Sequence, residues 1–231
     1  MTDGFDHWRG KAQAMISELS RNGPIFDLAG LSKAEIAAAQ NLQMRILVFN
    51  RYAENFERAL DVFDFAAGQF AQVLERRREE LKGAPGARAA LDAERDRWAG
   101  WMHVAARDAV MTLYQFGQAL KAVKDNLGSV PRLRPHIDSA ALKIAEDLFY
   151  KARFPQADDI RNAVAHSVEK LAKIEEDAHQ CGAFYSDVLS GRSLVMTHKG
   201  VDMSVPITAE TLRAITDIRH RVNAAFRAIE R

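Results

Sequence analysis

The sequence predicts an all-α protein: a helical bundle built on a long antiparallel helical hairpin, with one small β-hairpin near the C-terminus. Three observations predict it. Leu42, Ile46, Phe49, Ala53, Phe56, Leu60, Phe63, Ala67, Phe70 and Leu74 recur in alternating steps of four and three with no proline between them, the spacing of a long helix that buries one seam. Trp98, Met102, Ala105, Ala109, Leu113, Phe116, Leu120 and Val123 form a second stripe of the same kind. The helical period is lost only after Gly182.

Residues 5–21 read as a short amphipathic helix with Trp8, Ala12, Met15, Ile16 and Leu19 on one side, stopped by Asn22-Gly23-Pro24. Residues 1–30 are therefore expected to form an accessory arm, and residues 31–231 the bundle. Ser32-Lys33-Ala34-Glu35 is a capping-box pattern that opens the first long helix. Its four seam phenylalanines suggest a bundle core more than a two-stranded zipper. The run Glu75-Arg76-Arg77-Arg78-Glu79-Glu80 has mixed sign and leads into a turn at Lys82-Gly83-Ala84-Pro85-Gly86. It reads as a solvated helix end, because the adjacent acids cancel the field of the arginines.

The second long helix is expected over about residues 87–127, with Gly128 as its C-cap. Arg107 and Asp108 fall outside its apolar stripe. They read as a surface pair, or as side chains that steady a neighbouring helix from behind. Pro131 and Pro135 bracket a loop, and Ile137, Ala141, Ile144, Ala145, Leu148 and Phe149 then make a short helix that runs to Phe154.

Pro155 pre-sets the start of the next helix, and Asp158 and Asp159 put negative charge in its first turn, where free N–H groups and the helix dipole favour it. This helix is expected to run to about Gly182. Ile160, Ala163, Val164, Ser167, Leu171, Ile174, Ala178 and Cys181 gather on one arc, while Asp158, Arg161, Asn162, Ala165, His166 and Glu169 gather opposite. Residues 194–197 and 201–205, joined by His198-Lys199-Gly200, read as a β-hairpin at about 193–206. Thr208 can cap a last helix with Leu212, Ile215, Ile218, Val222, Ala225, Phe226 and Ile229 on its core side.

Composition narrows the function. Lys and Arg total 32 against 31 Asp and Glu, a net charge of +1, so any contact with RNA has to be local. A single cysteine, Cys181, excludes an intrachain disulfide framework and a Cys-based zinc cluster. The N-terminus has no basic region followed by an apolar run, and no stretch approaches 18 uninterrupted apolar residues. A soluble, cytoplasmic chain with no membrane partner is expected.

The polar arc holds the chemistry. Asn162 and His166 are an i, i+4 pair and can touch, and the long Arg161 side chain can reach round the shoulder of the helix toward them. Ala165 between them leaves room for something to approach. No glycine-rich phosphate loop, paired His-Glu zinc motif, Gly-x-Ser-x-Gly or calcium loop competes with this group.

Arg161-Asn162-x-x-x-His166 resembles the Arg-Asn-x-x-x-His signature of HEPN-domain proteins, compact all-helical modules that include many prokaryotic toxins and abortive-infection ribonucleases. The resemblance is firmest over about residues 98–170. It implies a HEPN-like fold and a homodimer in which two motif helices meet and form a composite cleft. It also implies a metal-independent endoribonuclease of a toxin or antiphage system, needing no cofactor and leaving a 2′,3′-cyclic phosphate, with Arg161, Asn162 and His166 as catalytic residues. Asp158, Arg107 and Asp108 would support them. An antitoxin or another protein partner would regulate it. Many HEPN-like proteins are instead non-catalytic interaction modules, and a helical dimerisation or adaptor module is the alternative expectation.

Overall fold

The computed structural model describes residues 24–79, 85–165, 187–198 and 201–229. In order, the elements are α1 (Lys33–Glu79), α2 (Pro85–Asp125), α3 (Ser139–Asp147), α4 (Ala157–Ala165), β1 (Val188–Ser190), β2 (Ser193–His198), β3 (Val201–Pro206) and α5 (Ala209–Ala224). The protein is mostly helical, with a small three-stranded antiparallel sheet near its C-terminus. The expected helix over residues 5–21 lies outside the described residues. So do Cys181 and the part of the motif helix beyond Ala165.

The chain divides into two compact units. The first takes its described residues from 24–53, 115–155 and 214–229. Its core is aromatic: the Phe49 and Phe116 rings lie 4.4 Å apart between centroids, Phe116 and Phe149 5.6 Å, and Phe149 and Phe154 5.1 Å. Ring pairs at such spacings add about 0.5–1.5 kcal/mol beyond the area they bury. The segment before α1 is tied to the end of the chain, where Phe26 stacks on Phe226 at 5.8 Å and the Asp27 N–H donates to the Ile229 carbonyl at 2.9 Å.

Helix caps follow the local chemistry. Ser32 and Glu35 make the reciprocal capping box: the Ser32 N–H donates to Glu35 Oε2 at 2.9 Å and the Glu35 N–H to Ser32 Oγ at 3.4 Å. Asp138 caps α3 by accepting from the Ala141 N–H at 2.9 Å. The α-helix stops at Asp147, and Leu148–Arg153 continues as a π-helical segment rather than as α-helix to Phe154. Ile144, expected on the buried side of α3, is 56% exposed. α2 likewise ends at Asp125 and passes into a 3₁₀ turn, Asn126–Ser129, before Gly128 can cap it.

The second unit takes its described residues from 54–79, 85–114, 156–165, 187–198 and 201–213. Here α1 and α2 run side by side in opposite directions: Arg76 pairs with Glu94 at 2.8 Å, Arg77 with Asp92 at 3.0 Å, and the Phe65 ring meets Trp98 edge-on at 5.8 Å. Two of the arginines expected to be solvated are thus bound to α2. The seam follows the expected phase through Phe56, Leu60 and Phe63, then steps to Ala66 and Val73, leaving Ala67, Phe70 and Leu74 half-buried.

The sheet has the order β1-β2-β3. The expected hairpin is β2 and β3, with Met196 opposite Met203 and Leu194 opposite Val205. All four side chains are buried, which meets the need of so small a sheet to pack on something. β1 is an addition, joined to β2 by the two-residue turn Gly191-Arg192 with Gly191 at φ 58°, where glycine is the residue without a steric penalty. Arg192 anchors this corner on α1, pairing with Asp64 and lying 5.1 Å above the Phe63 ring. Thr208 caps α5, accepting from the Thr211 N–H at 3.3 Å, while the Thr211 hydroxyl donates to the Pro206 carbonyl at 2.8 Å.

Candidate functional site

α4 forms where the sequence places a helix start. Pro155 and Gln156 make the turn, the Asp159 N–H donates to the Gln156 carbonyl at 3.0 Å, and the two aspartates occupy the first turn. Ala157, Ile160, Ala163 and Val164 are buried, and the helix packs on β2. Asp158 and Asn162 are exposed. The division of the helix into an apolar arc and a polar arc is therefore the expected one over its described length.

Of the motif, Asn162 is presented to solvent on the face opposite Ile160 and Val164. Arg161 and Ala165 belong to α4 by their backbone, and His166 lies outside the described residues. His103 lies on α2 and His220 on α5. Among the described residues no group of three or more His, Cys, Asp or Glu side chains is arranged to hold a metal ion.

Arg107 and Asp108 have separate surroundings. Arg107 Nε lies 2.8 Å from Asp187 Oδ2, an ion pair that ties α2 to the residue before β1. Asp187 has φ 63° and a side chain only 9% exposed, and its other oxygen, Oδ1, is buried with no hydrogen-bond partner among the described residues. Aspartate is among the few non-glycine residues that tolerate the left-handed region. The Arg107 charge offsets part of the penalty for burying the carboxylate. Asp108 is exposed on the outer side of α2.

Asp187 is the residue that sequence reading missed. Its partner is 80 positions away by number, and no periodicity links a helix residue to a residue at the edge of a strand. A weak local signal exists in Ser186-Asp187 just before the β-rich run at Val188, the kind of polar pair that precedes a strand.

Among the described residues, the carboxylates that depart from their ordinary titration are held by hydrogen bonds or ion pairs. In the first unit, Glu146 is held below the usual carboxylate range: partial burial pushes it up, but hydrogen bonds from Lys124 and Lys143 outweigh that. Asp147 is lowered by hydrogen bonds from Lys143 and then Lys151. In the second unit Glu94 is lowered, chiefly by the hydrogen bond from Arg76.

No family model, no curated protein and no solved structure matches the chain. Among the described residues no helix is long and apolar enough to cross a membrane.

Proposed function

We propose that the protein is a metal-independent endoribonuclease of the HEPN type, acting in a toxin or antiphage system as a homodimer with a composite Arg161-Asn162-x-x-x-His166 site. The observation that carries this reading is Asn162, exposed on the polar arc of a helix whose other arc is buried, inside the one Arg-Asn-x-x-x-His sequence of the chain. The residue types suit the reaction. A histidine with a pKa near neutrality takes the proton of the ribose 2′-hydroxyl, and the 2′-oxygen then attacks the adjacent phosphorus. The bond from phosphorus to the 5′-oxygen breaks, and that oxygen takes up a proton, leaving a 2′,3′-cyclic phosphate and a 5′-hydroxyl.

In this scheme Arg161 neutralises charge on the non-bridging phosphate oxygens, and Asn162 orients the imidazole or the scissile group. Asp158, one turn before Asn162, and the Arg107 pair support the helix and its neighbours. A protein antitoxin would act by covering the polar arc.

A second reading, a non-catalytic helical dimerisation or adaptor module that binds a protein partner, is favoured by a different observation. Val62, Phe65, Trp101 and Val104 in α1 and α2 are between 46% and 62% exposed. Clustered apolar exposure of this kind marks a protein-binding surface more often than an RNA-binding one.

Incubating a mixed RNA pool with the wild-type protein and with His166→Ala in EDTA separates the two. Chelator-resistant cutting with cyclic-phosphate ends, lost in the variant, supports the nuclease reading. No cutting by a folded protein, or equal cutting by both, leaves the adaptor reading.

A further inference from the structure

We propose that the outer face of the α1–α2 pair in the second unit is a self-association surface, on which a second copy of the chain docks by two-fold pairing with its α2 antiparallel to the first. The face is defined by contacts within the unit. The Phe65 ring sits edge-on to Trp98 at 5.8 Å, which sets residues 62–65 of α1 beside residues 98–101 of α2. Val62 and Phe65 are i, i+3 neighbours, as are Trp101 and Val104, so each pair lies on one side of its helix. Their exposures are 46%, 62%, 52% and 57%. Phe65 and Trp101 alone offer on the order of 100 Å² each, a hydrophobic centre that a polar rim would extend toward the roughly 800 Å² per copy of a specific interface.

The occupant follows from charge. Arg97, Trp101, Val104 and Asp108 succeed one another in steps of four, three and four, so they form one stripe along α2 with a cation at one end and an anion at the other. Both charged residues are exposed, and neither lies within ion-pair distance of a described residue; Arg97 lies over the Trp98 ring at 5.3 Å, and its charge also favours the Glu94 carboxylate one turn before it. Trp101 and Val104 share their midpoint with Arg97 and Asp108. A two-fold axis crossing α2 at that midpoint sets Arg97 against the second copy's Asp108, and Trp101 against its Val104. The stripe is thus complementary to itself, as an isologous interface requires.

Relief agrees with this. Gly100 is exposed in the interior of α2, and a Cβ built on it would meet nothing within 4 Å. An alanine there would favour the helix by about 1 kcal/mol, as at the equally open Gly68 of α1. Gly100 leaves a notch beside Trp101 and Val104 for the side chains of a second copy. A nucleic acid fits the face poorly. Of the nearby arginines, Arg58 is paired with Glu54 and Arg76 with Glu94, and the stripe itself has no net charge.

This pairing is separate from the meeting of motif helices; it uses the exposed face that favours the second reading and does not depend on whether the motif is catalytic. Sedimentation equilibrium of the full chain without RNA tests it, with folding checked by circular dichroism. The wild type is expected to self-associate. Arg97→Glu and Asp108→Arg should each raise the dissociation constant by about tenfold, since symmetry breaks two ion pairs and creates two like-charge contacts. The double variant, in which the charges are exchanged, should return to within about threefold of wild type. Trp101→Ser should weaken association at least as much as either single charge reversal; if it does not fold, Val104→Arg takes its place. A wild type that stays monomeric at its highest soluble concentration would overturn the proposal, as would single variants that associate normally or a double variant as weak as the singles.

Discussion

Asn50 and Asn223 exchange two hydrogen bonds, each Nδ2 donating to the other's Oδ1 at 3.2 Å. The pair joins α1 to α5 inside the first unit, where Asn50 is 1% exposed beside the buried Phe49 and Ala53. Each amide satisfies the polar atoms that the other would otherwise leave unpaired. Asn50→Leu should therefore destabilise the protein by about 1 kcal/mol, because the half-buried Asn223 amide loses both hydrogen bonds to the buried Asn50 side chain. Replacing both with leucine should cost less than the two single changes added together, because neither amide is then left without the other. Urea unfolding of the two single variants and the double variant measures it, and a double variant no more stable than the sum of the singles would show that the pair is not coupled.

Gly117 is tightly packed in the same unit. A Cβ there would stand 2.5 Å from Phe149 Cε1 and 2.8 Å from Tyr150 Oη. Phe149 is fully buried among Phe116, Tyr150 and Phe154, so its ring cannot swing away. Gly117→Ala should destabilise by about 1–3 kcal/mol through overpacking, enough to outweigh the helix propensity gained. Gly68→Ala is the matched comparison. Gly68 is in α1, exposed, with nothing within 4 Å of an added Cβ, and the change should stabilise by about 0.5–1 kcal/mol. Thermal melts of the two variants should move in opposite directions.

The long helices were legible because one kind of signal, a steady apolar period, repeats over many turns. Where that signal becomes degenerate, the phase slips. After Phe63 each turn offers two adjacent apolar residues, Ala66 or Ala67 and Val73 or Leu74, and a 3.5-residue repeat admits either. The protein buries Ala66 and Val73. Periodicity cannot choose between neighbours of similar hydropathy; the facing helix does, through its own side chains.

β1 was not legible for a different reason. Three residues, Val188–Ser190, are too few for a period, and the strand is held by pairing with β2 through register partners such as Leu189 and Leu194. Only Gly191, suited to the first position of a tight turn, hinted at it. At the candidate site the exposed Asn162 and the buried Ile160 follow directly from helical geometry. The Arg107–Asp187 pair does not, since it depends on where the chain returns after an intervening helix and on a left-handed residue that no pattern announces.

Acid should loosen the start of α1. Hydrogen bonds from Ser32, from the side chain first and then the backbone, hold Glu35 below the ordinary glutamate range. A group whose pKa is lower folded than unfolded contributes stability above the unfolded value, and that contribution is lost as pH falls through the folded one. Glu35→Ala should thus be less stable than wild type at neutral pH, and the difference should shrink as the pH falls below the ordinary glutamate range and the carboxyl is protonated. Ser32→Ala should cost about 1 kcal/mol at neutral pH by removing the cap. Denaturation midpoints across that pH range test the sign; a Glu35→Ala difference that persists or grows in acid would contradict it.

Arg107 and Asp187 should respond unequally to substitution. The Arg107 side chain is 44% exposed, so without Asp187 its guanidinium can be resolvated by water. The Asp187 carboxylate is 9% exposed, and among the described residues Oδ1 has no hydrogen-bond partner. Arg107→Ala therefore leaves a buried carboxylate with no counter-charge, and should destabilise by about 2–3 kcal/mol. Asp187→Asn keeps a residue that tolerates φ 63° and removes the buried charge, and should cost about 1 kcal/mol or less. Asp187→Ala loses the pair and also strains the left-handed backbone, which places it between the two. Adding Asp187→Asn to Arg107→Ala should then recover stability, because the charge that Arg107 had been neutralising is gone. Chemical denaturation of these four variants decides it: equal losses from Arg107→Ala and Asp187→Asn, or no recovery in the double variant, would mean that the ion pair does not govern how the start of β1 is held to α2.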